Sequence, residues 1–351
     1  MANLFETGNY QAEEVILLEN DGTLPLLKNN PKIILCETGK VTTKLDAELA
    51  VYAISRPSGE ECTPADYELT EQEKQDLDTL SAAYSKTVVI LCTERAVDTK
   101  YLRKHSGICA ILLTKPAGNI SEQMLLNILT GKTAPSGRMD TAWADSAEEH
   151  RNSFSCGYWY FDTFGVKPAY PFGFGRAYTS FSVAPSGLMI SGQNVVVHAS
   201  VTNMGIHHSG HEVVQVYYSA PAGKLKKPVQ ELAGFVQTKE LMPGETEKVT
   251  LSFPLVSMAS FDEERDARIL EEGLYYIRVG NHSRNTHIAA ALSIDREVIV
   301  GKSFGDSLPL DTYISQLPAR NPSPYSYEGE VREKEEAVVI DVITSTLKNK
   351  C

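Results

Sequence analysis

The hydrophobic pattern of this 351-residue chain changes near residue 183, and this change constrains the fold more than any other feature. Before it, short apolar runs alternate with helix-like segments, and the runs cover residues 33–36, 50–54, 87–92 and 108–113. Runs that are apolar throughout are typical of strands buried on both faces of a parallel sheet. The first half therefore predicts an α/β sandwich with a mainly parallel sheet and flanking helices.

Two helix starts are marked between these strands. Thr70-Glu-Gln-Glu is a capping-box pattern, and Leu77 and Leu80 follow it at helical spacing. Ser121 is placed to cap a second helix, which we expect to end at Gly131. The predicted helices lie between successive strands, as an α/β sandwich requires.

After residue 183 no long helical pattern is present, and strand-like segments take its place. They are separated by turn signals such as Met242-Pro-Gly-Glu. The segments cover residues 195–201, 212–218, 229–237, 248–253, 274–279 and 287–294. Strands at this spacing predict a β-sandwich of roughly 100 residues.

These patterns divide the chain into four parts. We predict an α/β domain at 10–165, an aromatic and glycine-rich hinge at 166–186, a β-sandwich at 187–296 and a tail or connector at 297–351. The hinge aromatics are expected to bury against both domains. Within the tail, residues 338–343 are apolar and compatible with a strand or a helix.

The composition limits the partners. Lys and Arg number 33 against 45 Asp and Glu, a formal charge of −12, which argues against nucleic acid or an anionic membrane as the main partner. No apolar stretch is long enough for a transmembrane helix, and the N-terminus lacks a secretory pattern. The six cysteines form no C-x-x-C pair, so we expect a cytoplasmic protein with no disulfide framework, metal or cofactor.

Several motifs occur in a specific order along the chain. They are Ala12-Glu-Glu-Val-Ile-Leu-Leu-Glu-Asn-Asp-Gly-Thr-Leu-Pro-Leu, Leu129-Thr-Gly-Lys-Thr-Ala-Pro-Ser-Gly-Arg-Met, Tyr170-Pro-Phe-Gly-Phe-Gly, Val201-Thr-Asn-Met-Gly, Glu212-Val-Val-Gln-Val-Tyr, Pro228-Val-Gln-Glu-Leu-Ala-Gly-Phe and Leu241-Met-Pro-Gly-Glu. Together they resemble glycoside hydrolase family 3, the β-glucosidase family. The resemblance implies a family 3 C-terminal-type α/β domain followed by a fibronectin type III-like domain.

The resemblance also implies what the chain lacks. In that family the nucleophile is an Asp on a separate barrel domain, and we find no barrel pattern in these residues. The chain resembles the non-barrel half of members whose barrel comes last. It is interpreted as a fragment, one subunit of a split enzyme, or a relict.

A site follows from the resemblance. The segment beginning Arg56-Pro-Ser-Gly-Glu-Glu matches the family's R-I-S-G-E-G-x-D-R motif, which puts Glu60 at the acid/base position. Arg56 and Asp66 are the predicted substrate-binding residues. The motif departs from the family where Glu61 replaces a glycine and where Asp66 only approximates the D-R pair. The alternative is that Glu60 and Glu61 are solvated loop acids.

Three other clusters of side chains each allow two interpretations. His207, His208 and His211 predict a surface loop, with a metal site as the alternative. The acidic run at 262–272 predicts a solvated face rather than a Ca²⁺ site. The aromatic segment at 158–161 predicts a packed cluster, with sugar stacking as the alternative.

The sequence is compatible with two functional hypotheses, and a third possibility is that the chain is a remnant with no function. The first is retaining hydrolysis of O-glycosyl bonds in β-glucosides or related oligosaccharides, with the nucleophile on a barrel domain or a second chain. The second is a non-catalytic module that binds carbohydrate or protein, such as a family 3 barrel.

Overall fold

The computed structural model describes residues 14–26, 31–56, 67–114, 121–153, 157–302 and 323–347. Within these residues the chain forms an α/β domain followed by a β domain, without a closed barrel. None of the described helices is both long and apolar enough to span a bilayer.

The α/β domain is built on one five-stranded sheet, in the order β1-β5-β4-β3-β2. Its strands are β1 Ile16–Asn20, β2 Ile33–Glu37, β3 Leu49–Ser55, β4 Thr87–Cys92 and β5 Ile108–Thr114. Strands β2 to β5 are parallel, and β1 adds to β5 in the antiparallel sense. All four predicted apolar runs are strands, and β4 is buried along its whole length. The predicted α/β sandwich with a mainly parallel sheet is confirmed.

Both predicted helix starts are present. The Thr70 hydroxyl accepts a hydrogen bond from the Glu73 amide at 3.2 Å, and the Glu73 carboxylate accepts one from the Thr70 amide at 2.8 Å. Ser121 Oγ accepts from the Met124 amide at 3.1 Å, and Gly131 follows the helix at a φ of +73°. The helices of this domain are α1 Glu71–Ala83, α2 Lys100–Lys104, α3 Glu122–Leu129, α4 Ala147–Ser153 and α5 Tyr158–Thr163.

The second domain packs sheets of mainly antiparallel strands face to face, as the predicted β-sandwich requires. Its strands are β6 Phe181–Ser191, β7 Asn194–Asn203, β8 Val213–Ser219, β9 Glu231–Gln237, β10 Thr246–Pro254, β11 Ser260–Asp262, β12 Ala267–Leu270, β13 Gly273–His282, β14 Asn285–Ile294, β15 Val298–Lys302 and β16 Val339–Val342. The sheets run β10-β7-β6, β16-β14-β13-β8-β9 and β11-β12-β15. All six predicted segments form strands here.

The C-terminal part of the chain belongs to this β domain. Strand β16 pairs in parallel with β14, and helix α6 Glu330–Glu336 precedes it. Val342 and Leu347 are buried in the hydrophobic core between the sheets. The buried Glu330 carboxylate accepts a hydrogen bond from Arg278 Nη2 at 2.5 Å. Residues 323–347 therefore complete the sandwich, where the sequence had predicted a tail or connector.

The two domains are joined by buried charge pairs. Asp162, at the end of α5, is 1% exposed and accepts hydrogen bonds from Arg284 Nε at 2.6 Å and Gln230 Nε2 at 2.9 Å. Arg284 also donates to the carbonyl oxygens of Phe161 and Val166, both at 2.8 Å. One guanidinium of the β domain thus holds both the α5 turn and the segment that follows it.

Further contacts join the α/β domain and the hinge to strand β8 and the residue before it. Arg138 Nη2 donates to Glu212 Oε1 at 2.6 Å, and both side chains are almost fully buried. Gln215 Nε2 donates to the carbonyl of Gly173 at 3.1 Å. Gly173 has a φ of +81°, and a Cβ there would lie 2.1 Å from Gln215 Oε1. The left-handed backbone and the close contact with the Gln215 side chain both favour glycine at this position.

Candidate functional site

The first candidate site is the carboxyl edge of the parallel sheet, which we define by the ends of strands β2 to β5. Parallel strands end at the same edge, and ligands of α/β folds bind there. Arg56 directly follows β3 and is described by the structure. Glu60, Glu61 and Asp66 lie in the segment 57–66, outside the described residues. The roles assigned to Glu60 and Asp66 therefore stay predictions.

Arg56 bridges the two ends of that segment. Its guanidinium donates to both carboxylate oxygens of Glu73, from Nη1 at 2.6 Å and from Nη2 at 2.9 Å, and Nη2 also reaches the Glu68 carbonyl at 3.3 Å. The side chains of Arg56 and Glu73 are only 9% and 3% exposed. A bidentate pair shielded from water is stronger and more rigid than a surface pair. It ties the end of β3 to the start of α1.

The sequence motif identifies Arg56 but not its partner. Glu73 is the acid that completes the capping box of α1, so one carboxylate caps the helix and binds the guanidinium. The capping-box pattern identified Glu73 as a helix residue, and nothing local in the sequence linked it to Arg56. The assignment of Arg56 to substrate binding stays a prediction, and its contacts within the chain are those of a loop anchor.

A second acid of α1 shapes the neighbouring loop. Asp76 is buried, and its Oδ2 accepts hydrogen bonds from the Gly39 amide at 2.7 Å and the Tyr52 hydroxyl at 2.9 Å. Burial raises the pKa of Tyr52, so its hydroxyl keeps its proton and remains a donor. The first turns of α1 thus fix the loops after β2 and β3, which form adjacent parts of the carboxyl edge.

The other predicted clusters have ordinary structural roles. The His207 and His208 rings lie 6.4 Å apart, whereas His211 Nδ1 lies 3.1 Å from the Thr238 carbonyl. Asp262 is bound by Arg265 and Glu271 by Lys227, so the acidic run is partly paired. Across the described ranges, no three His, Cys, Asp or Glu side chains converge as metal ligands.

The aromatic segment 158–161 is packed at the domain junction. Tyr160 and Phe161 are buried, and Tyr158 stacks on Phe172 with ring centroids 4.5 Å apart. The Tyr158 hydroxyl oxygen accepts a hydrogen bond from the Leu232 amide at 3.0 Å. These contacts fit the prediction of a packed aromatic cluster better than that of an exposed surface on which a sugar ring stacks.

Comparison with known proteins agrees with this architecture. Residues 37–178 match the family model described as the glycosyl hydrolase family 3 C-terminal domain. Residues 212–283 match a fibronectin type III-like domain. The two matches follow the same order as the α/β domain and the β domain.

Curated relatives are longer than this chain. It is similar to β-glucosidase A of Butyrivibrio fibrisolvens, with 30% identity over 301 residues, covering 75% of this chain and 36% of that protein. It is similar to a β-glucosidase of Ruminococcus albus at 29% identity, covering 72% of this chain and 29% of the relative. The chain therefore spans about a third of the length of these relatives.

Solved structures share the fold. β-Glucosidase 3B of Thermotoga neapolitana, determined in complex with α-D-glucose, superposes with a TM-score of 0.72 at 28% identity, covering 82% of this chain and 53% of that one. A β-glucosidase of Paenibacillus barengoltzii superposes equally well at 24% identity, covering 84% of this chain and 44% of the other. The second similarity shows the fold alone.

Proposed function

Because this chain belongs to glycoside hydrolase family 3, through its C-terminal α/β domain and its fibronectin type III-like domain, we propose that it carries the acid/base half of a retaining β-glucosidase site. The observation that carries the proposal is the Arg56–Glu73 bridge. It anchors both ends of the segment that contains Glu60 at the carboxyl edge, the edge of an α/β sheet where ligands bind.

The proposed chemistry needs two carboxyl groups. A retaining glycosidase places them roughly 5–5.5 Å apart, one as nucleophile and one as proton donor. Glu60 would protonate the leaving-group oxygen in the first step. It would then take a proton from water in the second, as the glycosyl-enzyme bond is hydrolysed. The nucleophile would come from a barrel domain, in the same protein or in a second chain. The substrate would be a β-glucoside or a related oligosaccharide.

The test compares Glu60→Gln with its neighbour Glu61→Gln as the matched control. We would measure hydrolysis of methyl β-glucoside and of 2,4-dinitrophenyl β-glucoside by the full chain, alone and mixed with a family 3 barrel domain. Dinitrophenolate leaves without a proton, so only the methyl glucoside needs the acid in the first step. We expect Glu60→Gln to lower kcat/KM for the methyl glucoside by about 10²- to 10⁴-fold and to affect the dinitrophenyl substrate far less.

Two results would contradict the proposal. One is no turnover by wild type under either condition. The other is a loss in Glu61→Gln as large as that in Glu60→Gln. A uniform loss on both substrates would indicate a binding or folding defect in place of acid catalysis.

A second candidate function is a non-catalytic module that binds carbohydrate or protein. The observation that favours it is the engagement of Arg56 with Glu73, since a guanidinium held in a buried bidentate pair has fewer donors left for substrate. Titration calorimetry with cello-oligosaccharides, and with a family 3 barrel domain, would test it. Saturable binding without turnover supports this function, and turnover in either mixture rejects it.

We also propose a reducing, cytoplasmic location. Cys36, Cys92 and Cys109 are buried free thiols. Burial raises the pKa of Cys92 and of Cys109 to about 11, which keeps both as unreactive thiols at neutral pH. Cell fractionation with an antibody against the chain would test the location.

A further inference from the structure

A cavity of about 320 Å³ lies where the two domains meet, and it shares no residue with the carboxyl edge. We call it the junction pocket. The α/β domain contributes Ser136 and Met139, the hinge contributes Phe172, and strand β9 contributes Leu232, Phe235 and Gln237. Its size lies at the lower end of the range of small-molecule sites.

The wall of the junction pocket is apolar and partly aromatic. Met139 is buried, Phe172 is held by its stack on Tyr158, and Phe235 is 67% exposed. Phe235 lies on β9, an edge strand of its sheet. A large exposed aromatic side chain beside a cavity offers a face on which a flat ring can pack.

Two polar side chains in this wall have no partner. Ser136 Oγ and Gln237 Nε2 are buried, and neither makes a hydrogen bond among the described residues. Ser136 is 2% exposed. An unpartnered buried polar group costs stability, so each such group in a native structure calls for an explanation. A ligand oxygen in the pocket would supply the acceptor that the Gln237 amide lacks.

The other polar groups of the pocket are already engaged. Arg138 is paired with Glu212, and Gln215 donates to the Gly173 and Asn281 carbonyls. Asp140 is exposed at the rim, so the remaining charge there repels an anion. A sugar would lose water from its hydroxyls against the apolar wall without enough partners to replace it.

We propose that the junction pocket binds a small uncharged molecule with a flat apolar ring and one or two acceptor oxygens. The ring lies against Phe172 and Phe235, and an oxygen accepts from Gln237 and Ser136. A ligand at this place contacts both domains at once. It therefore stabilises their association as well as the fold.

The test measures binding of benzyl alcohol to the full chain by two-dimensional amide NMR titration, with toluene and glucose as probes that lack the oxygen or the apolar ring. We expect saturable shifts with benzyl alcohol, weaker binding of toluene and none of glucose. Gln237→Leu should weaken benzyl alcohol binding roughly 3- to 10-fold, the effect of one hydrogen bond. Toluene affinity should be unchanged in that variant.

Phe235→Thr removes the exposed wall with little risk to folding, and Met189→Thr is its matched control. Met189 is also a large exposed side chain, 52% exposed, on an edge strand outside the pocket. We expect a several-fold loss of affinity in Phe235→Thr and none in Met189→Thr. Equal losses in both, equal binding of benzyl alcohol and toluene, or preferential binding of glucose would each overturn the proposal. So would the absence of binding by every probe.

Discussion

The carboxyl edge and the domain junction both depend on buried Arg–carboxylate pairs, but the pairs connect different things. Arg56 and Glu73 are 17 residues apart, and their bond closes the ends of one loop. Arg284 and Asp162 are 122 residues apart, and their bond joins two domains. The first pair shapes a local segment, whereas the second fixes how two separately folded sheets sit against each other.

This difference shows what a buried charge can do. A buried ion pair adds little net stability over a well-packed apolar contact, but losing one partner leaves a costly charge behind. Such pairs therefore determine which conformation the protein adopts more than they raise its free energy of unfolding. At the carboxyl edge the selected arrangement is a loop conformation, and at the junction it is a domain orientation.

The largest expected effect is at the junction. Arg284→Met leaves Asp162 buried without its cation and should lower the free energy of unfolding by about 3–5 kcal/mol. Because the lost contacts join the domains, the thermal transition should also split into two. Differential scanning calorimetry measures both. Arg268→Met, at an exposed arginine of β12, is the control and should stay within about 0.5 kcal/mol of wild type. A single transition at the wild-type temperature in Arg284→Met would contradict the conclusion that this pair holds the two domains together.

At the carboxyl edge, Arg56→Met should cost about 3 kcal/mol because Glu73 keeps a buried, uncompensated charge. The unfolding transition should remain single, since the pair lies within one domain. Denaturant unfolding followed by circular dichroism measures the loss. Lys40→Met removes an exposed cation from the same edge, whose pair with Glu37 is worth at most about 1 kcal/mol. An equal loss of stability in the two variants would contradict the conclusion that the buried Arg56–Glu73 pair matters more than an exposed pair at the same edge.

The third effect depends on pH and again belongs to the junction. Burial, together with the positive charges of Arg138 and Arg284, lowers the pKa of His282 from 6.5 to about 4. The unfolded chain then binds more protons than the folded one below pH 6.5. Stability should fall by on the order of 2–3 kcal/mol as the pH drops from 6.5 to 4.

Urea unfolding at several pH values measures that slope. His282→Gln should flatten it, whereas His207→Gln, at an exposed histidine in a loop, should leave it unchanged. An unchanged slope in His282→Gln would assign the acid sensitivity to other groups and remove the junction from the explanation.

The smallest effect concerns the helix cap beside Arg56. Thr70→Ala removes the side-chain acceptor of the α1 capping box and should cost about 1 kcal/mol. Combined with Arg56→Met, the loss should be less than additive, since both variants act through Glu73. Thr79→Ala, at an exposed position of the same helix, should cost nothing. Full additivity in the double variant would show that the cap and the ion pair are independent.

Much of the fold could be predicted because its signals are local. The Thr70 capping box and the apolar run of β4 identify their elements without tertiary information. Strand β6 was missed because its alternation breaks between Pro185 and Gly187, where a register shift interrupts the pairing with β7. The apolar sequence of the β16 segment is compatible with a strand or a helix, and its pairing with β14 makes it a strand.

The candidate sites were predicted less completely, for a physical reason. The Arg56 position followed from a motif, but its partner Glu73 is set by the packing of α1 against the sheet. The junction pocket arises from four separate segments that meet only when both domains are folded. The sequence pattern of any one of these segments therefore does not predict that the pocket forms.

The late position of β16 in the chain has a consequence for synthesis on the ribosome. Strand β14 ends about 50 residues before Leu347, a delay of roughly 3–10 s at typical translation rates. During that interval the nascent β domain has neither Val342 nor Leu347 to fill its core, and Arg278 has no Glu330 beside it. During this period the edge of strand β14 and the guanidinium of Arg278, both covered in the complete domain, are exposed and accessible to chaperones.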